Sequence, residues 1–279
     1  MKLYSIHTGN FKLDGGAMFG VVPKSIWNRL NPADENNLCS WAMRCLLIED
    51  GNRLILVDNG IGNKQDEKFL RHYHLHGNHS LDASLQTHGF NRNDITDVFL
   101  THLHFDHCGG SIIKEGDKGV PAFRNATYWS NLRHWEWALQ PNDREKASFL
   151  KENILPIQES GQLKFIEPVD RSQFTPNITV RFVNGHTDAM MLPQITYRGH
   201  TIVFMADLMP STGHIPIPYV MAYDMFPLTT LHEKKAFLTE ALENNYILFF
   251  EHDPVTECCS LQMTEKGIRE GDTFMLESL

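Results

Sequence analysis

The sequence lacks what several functional classes require. Its five cysteines (Cys39, Cys45, Cys108, Cys258 and Cys259) are an odd number and form no CxxC pair. Neither a disulfide framework nor a cysteine-type zinc knuckle is therefore indicated. No stretch approaches the roughly 18 apolar residues of a membrane span. The N-terminal MKLYSIHTGN lacks the apolar run, about 7–15 residues long, of a secretory leader. Basic residues form no block, and 25 of them stand against 34 acidic ones for a net charge of −9. A nucleic-acid partner needs a cationic footprint, which is missing. There is no internal repeat, no low-complexity run and no Pro/Gly/Ser linker. These absences predict one reduced, cytoplasmic domain over residues 1–279, without nucleic-acid or membrane partners. Its length is sufficient to bury a full core, and 42% hydrophobic content is ordinary for a globular chain.

What is present is an alternation of strand-like and helix-like segments, an α/β pattern. Ala42–Glu49 and Arg53–Asp58 read as paired strands around Asp50-Gly51-Asn52, since Asp-Gly is a hairpin dipeptide. Ser80 opens a short helix that Gly89 is placed to end. Thr230-Leu231-His232-Glu233 fits a capping box before an amphipathic helix running to about Glu243. Where strands stop, a pattern emerges. RLILV (Arg53–Val57) runs into Asp58, and DVFLT (Asp97–Thr101) into His102. Ile178–Val183 leads to Asn184-Gly185-His186, TIVFMA (Thr201–Ala206) to Asp207, and YILFFE (Tyr246–Glu251) to His252. Each of five strands delivers an Asp or His at the edge where α/β sheets usually carry their chemistry.

The stretch THLHFDHCGG (residues 101–110) is the densest of these. His102 and His104, two apart at a strand end, can project to one side and reach one ion. Asp106 and His107 follow after the chain begins to turn and can face a second ion; Gly109-Gly110 permits the close turn. His186 would complete the first shell and His252 the second, with Asp207 bridging through its two carboxylate oxygens. This nitrogen and oxygen donor set suits zinc and leaves iron, manganese or cobalt open. A second His-rich run, HYHLHGNH (residues 72–79), has no carboxylate partner and reads as a solvated segment. Cys108 reads as a small buried residue.

His-x-His-x-Asp-His, the later Gly-His, a strand-end Asp and a last strand-end His resemble the metallo-β-lactamase superfamily, from about Ala42 to His252. LVDNG (Leu56–Gly60) resembles its strand-turn signature. That resemblance implies a four-layer αβ/βα sandwich with a dinuclear metal site. DGGAMFGVVPK (Asp14–Lys24), MADLMP (Met205–Pro210) and AYDMFP (Ala222–Pro227) resemble the quorum-quenching N-acyl-homoserine lactonase branch. It implies a hydrolase that opens a small-molecule lactone by attack of a metal-bridging hydroxide, because zinc brings the pKa of bound water to about 7. Asp106 would ferry a proton to the leaving alkoxide, and Asp58 would orient a ligand histidine. Lactonases place a Tyr three residues after the bridging Asp; here Pro210 stands there, and His214, Tyr219 and Tyr223 are the candidate oxyanion donors. The arm Ala17–Val22 could line an acyl pocket, pack in the core or join a homodimer. For Trp135 and Trp137, helix packing is the plainer reading and pocket lining the alternative. Organophosphate triester or aryl ester hydrolysis would use the same site. A di-iron redox protein would usually carry Glu in place of His104, and a flavin domain.

Overall fold

Between Asp50 and Arg53, which face each other across the strand pair, the chain reverses through Gly51 in the left-handed region (φ 65°). The Asp-Gly hairpin is thus where the local chemistry places it. The computed structural model describes residues 1–279, which divide into two compact units: Met1–Gly9 with Met43–Ser172, and Asn10–Ala42 with Gln173–Leu279. No helix is long and apolar enough to cross a membrane. The mixed α/β class is the expected one.

Strands β1 (Lys2–Asp14), β2 (Leu38–Asp50), β3 (Arg53–Val57) and β4 (Asp97–Phe99) are followed by a ribbon, β5 (Ile112–Glu115) and β6 (Lys118–Pro121). After it come β7 (Thr127–Ser130) and β8 (Leu163–Phe165). One sheet takes the strands in the order β1-β2-β3-β4-β7-β8, with β3, β4, β7 and β8 parallel, so their carboxyl ends share an edge. The core of the first unit includes Leu54, Leu56, Val98, Leu100, Tyr128, Trp135 and Ile154, all buried. Each such side chain contributes about 1.5–3 kcal/mol by leaving water. Trp135 is therefore a packing residue. Ser80 caps the helix Leu81–Thr87 by accepting from Ala83 N–H, and Gly89 turns the chain away at φ 82°.

The second sheet holds β9 (Ser172–Thr175), β10 (Ile178–Val183), β11 (Met190–Tyr197), β12 (His200–Phe204), β13 (Ile247–Phe249), β14 (Cys258–Thr264) and β15 (Gly267–Phe274), neighbours in that order. Strands β12 and β13 run parallel, and the helix Pro227–Glu243 lies between them in the chain. That helix starts three residues before the expected Thr230 cap, with Pro227 in its first turn. Proline needs no N–H there and arrives with its φ already helical. Glu233 does not close a capping box; its carboxylate accepts from the N–H groups of Asn184 and Gly185 at 2.7 and 3.0 Å.

Candidate functional site

Four of the expected residues stand at one offset from their strands. His102, His186, Asp207 and His252 are each third beyond the last residue of β4, β10, β12 and β13, while Asp58 directly follows β3. All five are buried.

In the first unit, Asp58 is the organiser. Held at φ 55°, it accepts from Thr101 N–H (2.8 Å), Thr101 Oγ1 (2.6 Å) and His107 Nδ1 (3.1 Å). The Thr101 hydroxyl spends its proton on Asp58, so it accepts from His102 Nδ1 at 3.0 Å, which leaves His102 Nε2 unprotonated. His104 is turned the other way: its Nε2 donates to Glu145 at 2.9 Å, and Nδ1 keeps the lone pair. With both rings neutral, these two nitrogens stand 3.1 Å apart with no proton between them. Two nitrogens bound at about 2.0–2.1 Å to one tetrahedral ion would be about 3.3 Å apart, so the pair fits a cation. His107 Nε2 faces Asp106 Oδ2 at 3.8 Å.

The second unit holds a cluster of its own. His186 Nδ1 donates to Asp224 at 2.9 Å, and His252 Nδ1 donates to the Ala42 carbonyl at 2.7 Å. Both Nε2 atoms are left with lone pairs, and each faces one oxygen of Asp207: His186 at 3.1 Å and His252 at 3.3 Å. Acceptor against acceptor repels unless a positive species lies on each side of the carboxylate. Protonating both rings would also satisfy Asp207. The His102–His104 pair calls for a positive species in the same way, since neither neutral ring has a proton for the other. The loop before His186 is held by Glu233, whose carboxyl burial pushes up against the two N–H bonds that favour its charge. The chain thus carries histidine and aspartate clusters suited to metal ions.

A family model of the metallo-β-lactamase superfamily matches residues 44–252, which takes in both clusters. The chain belongs to the metallo-β-lactamase superfamily. Among curated proteins, none matches the sequence. Solved structures do. One is described as a probable metal-dependent hydrolase from Staphylococcus aureus, 29% identical with a TM-score of 0.89, covering 100% of this chain and 98% of that one. Another is AidC, a dizinc quorum-quenching lactonase in complex with the product N-hexanoyl-L-homoserine (21% identity, TM-score 0.80, 98% and 95% covered). A third is an N-acyl homoserine lactone hydrolase with the same product at its catalytic metal center (22%, 0.70, 91% and 93%). Family and donor chemistry together indicate that this superfamily member is a metal-dependent hydrolase.

The other residues singled out in the sequence are placed as follows. His214 is not available as an oxyanion donor: it is 1% exposed, with Nε2 bonded to Met18 O at 2.9 Å and Nδ1 to Ser211 Oγ at 2.8 Å. It stacks on Phe19 at 4.6 Å, and Phe19 stacks on Trp27 at 5.5 Å. The Ala17–Val22 arm is therefore largely core, with Met18, Phe19 and Val22 buried and Val21 exposed. Tyr223 stands at the surface, and Tyr219 meets Phe19 edge-on. Trp137 donates its indole N–H to Glu145 at 2.7 Å. Cys108 is a small buried residue as expected, its thiol pushed up to about 12 chiefly by burial. In the HYHLHGNH run the four histidines are exposed, but Tyr73 is half-buried and packs on Phe105 at 4.6 Å. Burial, with the nearby charge of Asp106, pushes its phenol up to about 12. Reading the run for histidines alone hides this aromatic residue.

Burial pushes the His214 imidazole down to about 4 from its ordinary 6.5. The folded state thus refuses a proton that the unfolded chain binds in that window. The contribution to stability is complete above about pH 6.5 and is lost as pH falls through about 4, about 3 kcal/mol in all. Urea unfolding at pH 7 and pH 5 should show the wild type losing about 2 kcal/mol more than His214→Phe. Equal losses in the two proteins would refute the assignment.

Proposed function

We propose that this superfamily member is a dinuclear, zinc-dependent hydrolase that opens the lactone ring of N-acyl-homoserine lactones. His102, His104 and His186 would hold one ion and Asp106, His107 and His252 the other, with one oxygen of Asp207 on each. The observation that carries the metal reading is Asp207, whose two oxygens face His186 and His252 Nε2 at 3.1 and 3.3 Å, nitrogens that carry no proton when the rings are neutral. The lactone reading draws support from two similar structures that hold an acyl-homoserine product. When bound, the ions supply Lewis acidity that polarises a carbonyl and acidifies water.

The chain's own residues supply the rest. Asp58, Asp224, Glu145 and the Ala42 carbonyl fix ring orientations, so each histidine presents one chosen nitrogen. Asp106 carries a proton to the leaving alkoxide. Tyr223 donates to the developing oxyanion, and Tyr73, beside Asp106, is the second phenol suited to that task.

Acid release in a pH-stat from a series of N-acyl-homoserine lactones tests this reading, with His104→Ala run beside the metal-loaded wild type. The wild type should turn over, and the variant should be slower by on the order of 10³-fold or more, since metal catalysis supplies several kcal/mol. Wild-type rates no higher than the variant's would sink the lactone assignment. Aryl esters and phosphotriesters would then be assayed.

A further inference from the structure

We propose that Glu145 is a positioning residue that makes His104 offer Nδ1, rather than Nε2, to a metal ion. The inference rests on the dinuclear reading above. His102, His107, His186 and His252 all turn Nδ1 toward a protein partner, namely Thr101, Asp58, Asp224 and the Ala42 carbonyl. His104 alone turns Nε2 inward, onto Glu145 at 2.9 Å. Its ligating atom is therefore the ring nitrogen nearer the backbone. That choice brings it to 3.1 Å from His102 Nε2, although the two residues are only two apart in the chain.

Glu145 is built for the task. Its side chain is 1% exposed, and its second oxygen accepts from Trp137 Nε1 at 2.7 Å and from Asn142 Nδ2 at 3.4 Å. Its own N–H is tied to Asn142 Oδ1 at 3.1 Å. A buried carboxylate is tolerated only when its oxygens are hydrogen-bonded, and both are. The residues flanking His104 are gripped from the same side of the chain. Leu103 N–H donates to His134 Nε2 at 2.9 Å, and Phe105 N–H donates to Ser148 O at 3.0 Å. The His104 ring also packs on Phe149 at 4.8 Å. A carboxylate on the far nitrogen fixes the tautomer and strengthens the ligating one.

The test compares Glu145→Ala, Trp137→Phe and the double variant Glu145→Gln/Trp137→Phe. In the double variant the glutamine oxygen can still accept from His104, and its NH₂ meets no indole N–H. Metal content and affinity are read by chelator competition. The tautomer of His104 is read from long-range ¹H–¹⁵N spectra of the metal-free protein. The wild type should hold two ions and carry the His104 proton on Nε2. Glu145→Ala should bind one ion about 10–100-fold more weakly, while Trp137→Phe and the double variant should stay within a few-fold of wild type. The proposal is overturned if folded Glu145→Ala binds both ions as tightly as wild type, if the double variant binds as weakly as Glu145→Ala, or if the wild-type proton sits on Nδ1. Should Glu145→Ala fail to fold, the double variant and the wild-type tautomer decide. A wild type that takes up no metal would sink the dinuclear reading, while the tautomer would still decide the role of Glu145.

Discussion

Asp207→Ala should strip the protein of tightly held metal and lower its hydrolytic rate by on the order of 10³-fold or more. One carboxylate serves two histidines, so a single substitution removes a donor from both proposed shells. The histidines themselves should stay in place. His252 is locked through the Ala42 carbonyl and through backbone bonds to Ala42 and Pro210, and His186 through Asp224. The more telling measurement is thermal. Metal that binds only the folded state stabilises it by about 2.7 kcal/mol per site at a hundredfold excess over the dissociation constant. Wild-type protein should therefore lose several degrees of Tm on chelation. Asp207→Ala should lose almost none, because it begins without that stabilisation. Its metal-free form should also be at least as stable as metal-free wild type, since the variant no longer sets a buried carboxylate against two ring nitrogens. A variant that keeps two ions per chain and a full chelator-induced shift would remove Asp207 from the site.

Legibility in the sequence follows from the range of the forces involved. The hairpin at Gly51, the Ser80 cap and the strand ends depend on neighbours within a few residues, so composition and period reveal them. His102, His104, Asp106 and His107 share one segment and could hardly be missed. The roles of Glu145, Asp224 and His214 could not be read this way. Glu145 meets His104 across 41 residues, Asp224 meets His186 across 38, and His214 meets Met18 across 196. No local pattern announces a partner chosen by tertiary packing. Glu233 shows the same principle as an error. Its spacing from Thr230 matches a capping box, but the orphan N–H groups before His186 claim its carboxylate, and Pro227 starts the helix without it. His214, rich in potential chemistry by type, is turned into a clasp for Phe19 and Met18 because both ring nitrogens find protein partners in Ser211 and Met18.

Gly109→Ala should destabilise the protein by about 3 kcal/mol or more, which is the upper range for overpacking with broken hydrogen bonds added. Backbone strain is not the reason, because Gly109 has an ordinary helical φ of −61°. The reason is contact: an added Cβ would lie 2.1 Å from the Ile61 carbonyl oxygen and 2.6 Å from its carbon, both backbone atoms that cannot swing aside. The two segments are strapped together at this point. Gly110 N–H donates to Gly60 O at 2.8 Å, Asn59 N–H to His107 O at 2.9 Å, and Lys64 Nζ to Gly109 O at 2.5 Å. Separating them by the ångström or so that a methyl group demands would stretch these bonds. It would also pull on the 3.1 Å bond between Asp58 and His107, whose residues border the two segments. Metal affinity should therefore fall together with stability. Gly116→Ala is the control: its φ is +61° and nothing lies within 4 Å of an added Cβ, so the cost should be only the left-handed penalty of about 1–2 kcal/mol, with metal affinity unchanged. If urea unfolding gives the two variants the same loss, the close approach of the two segments is not what Gly109 provides.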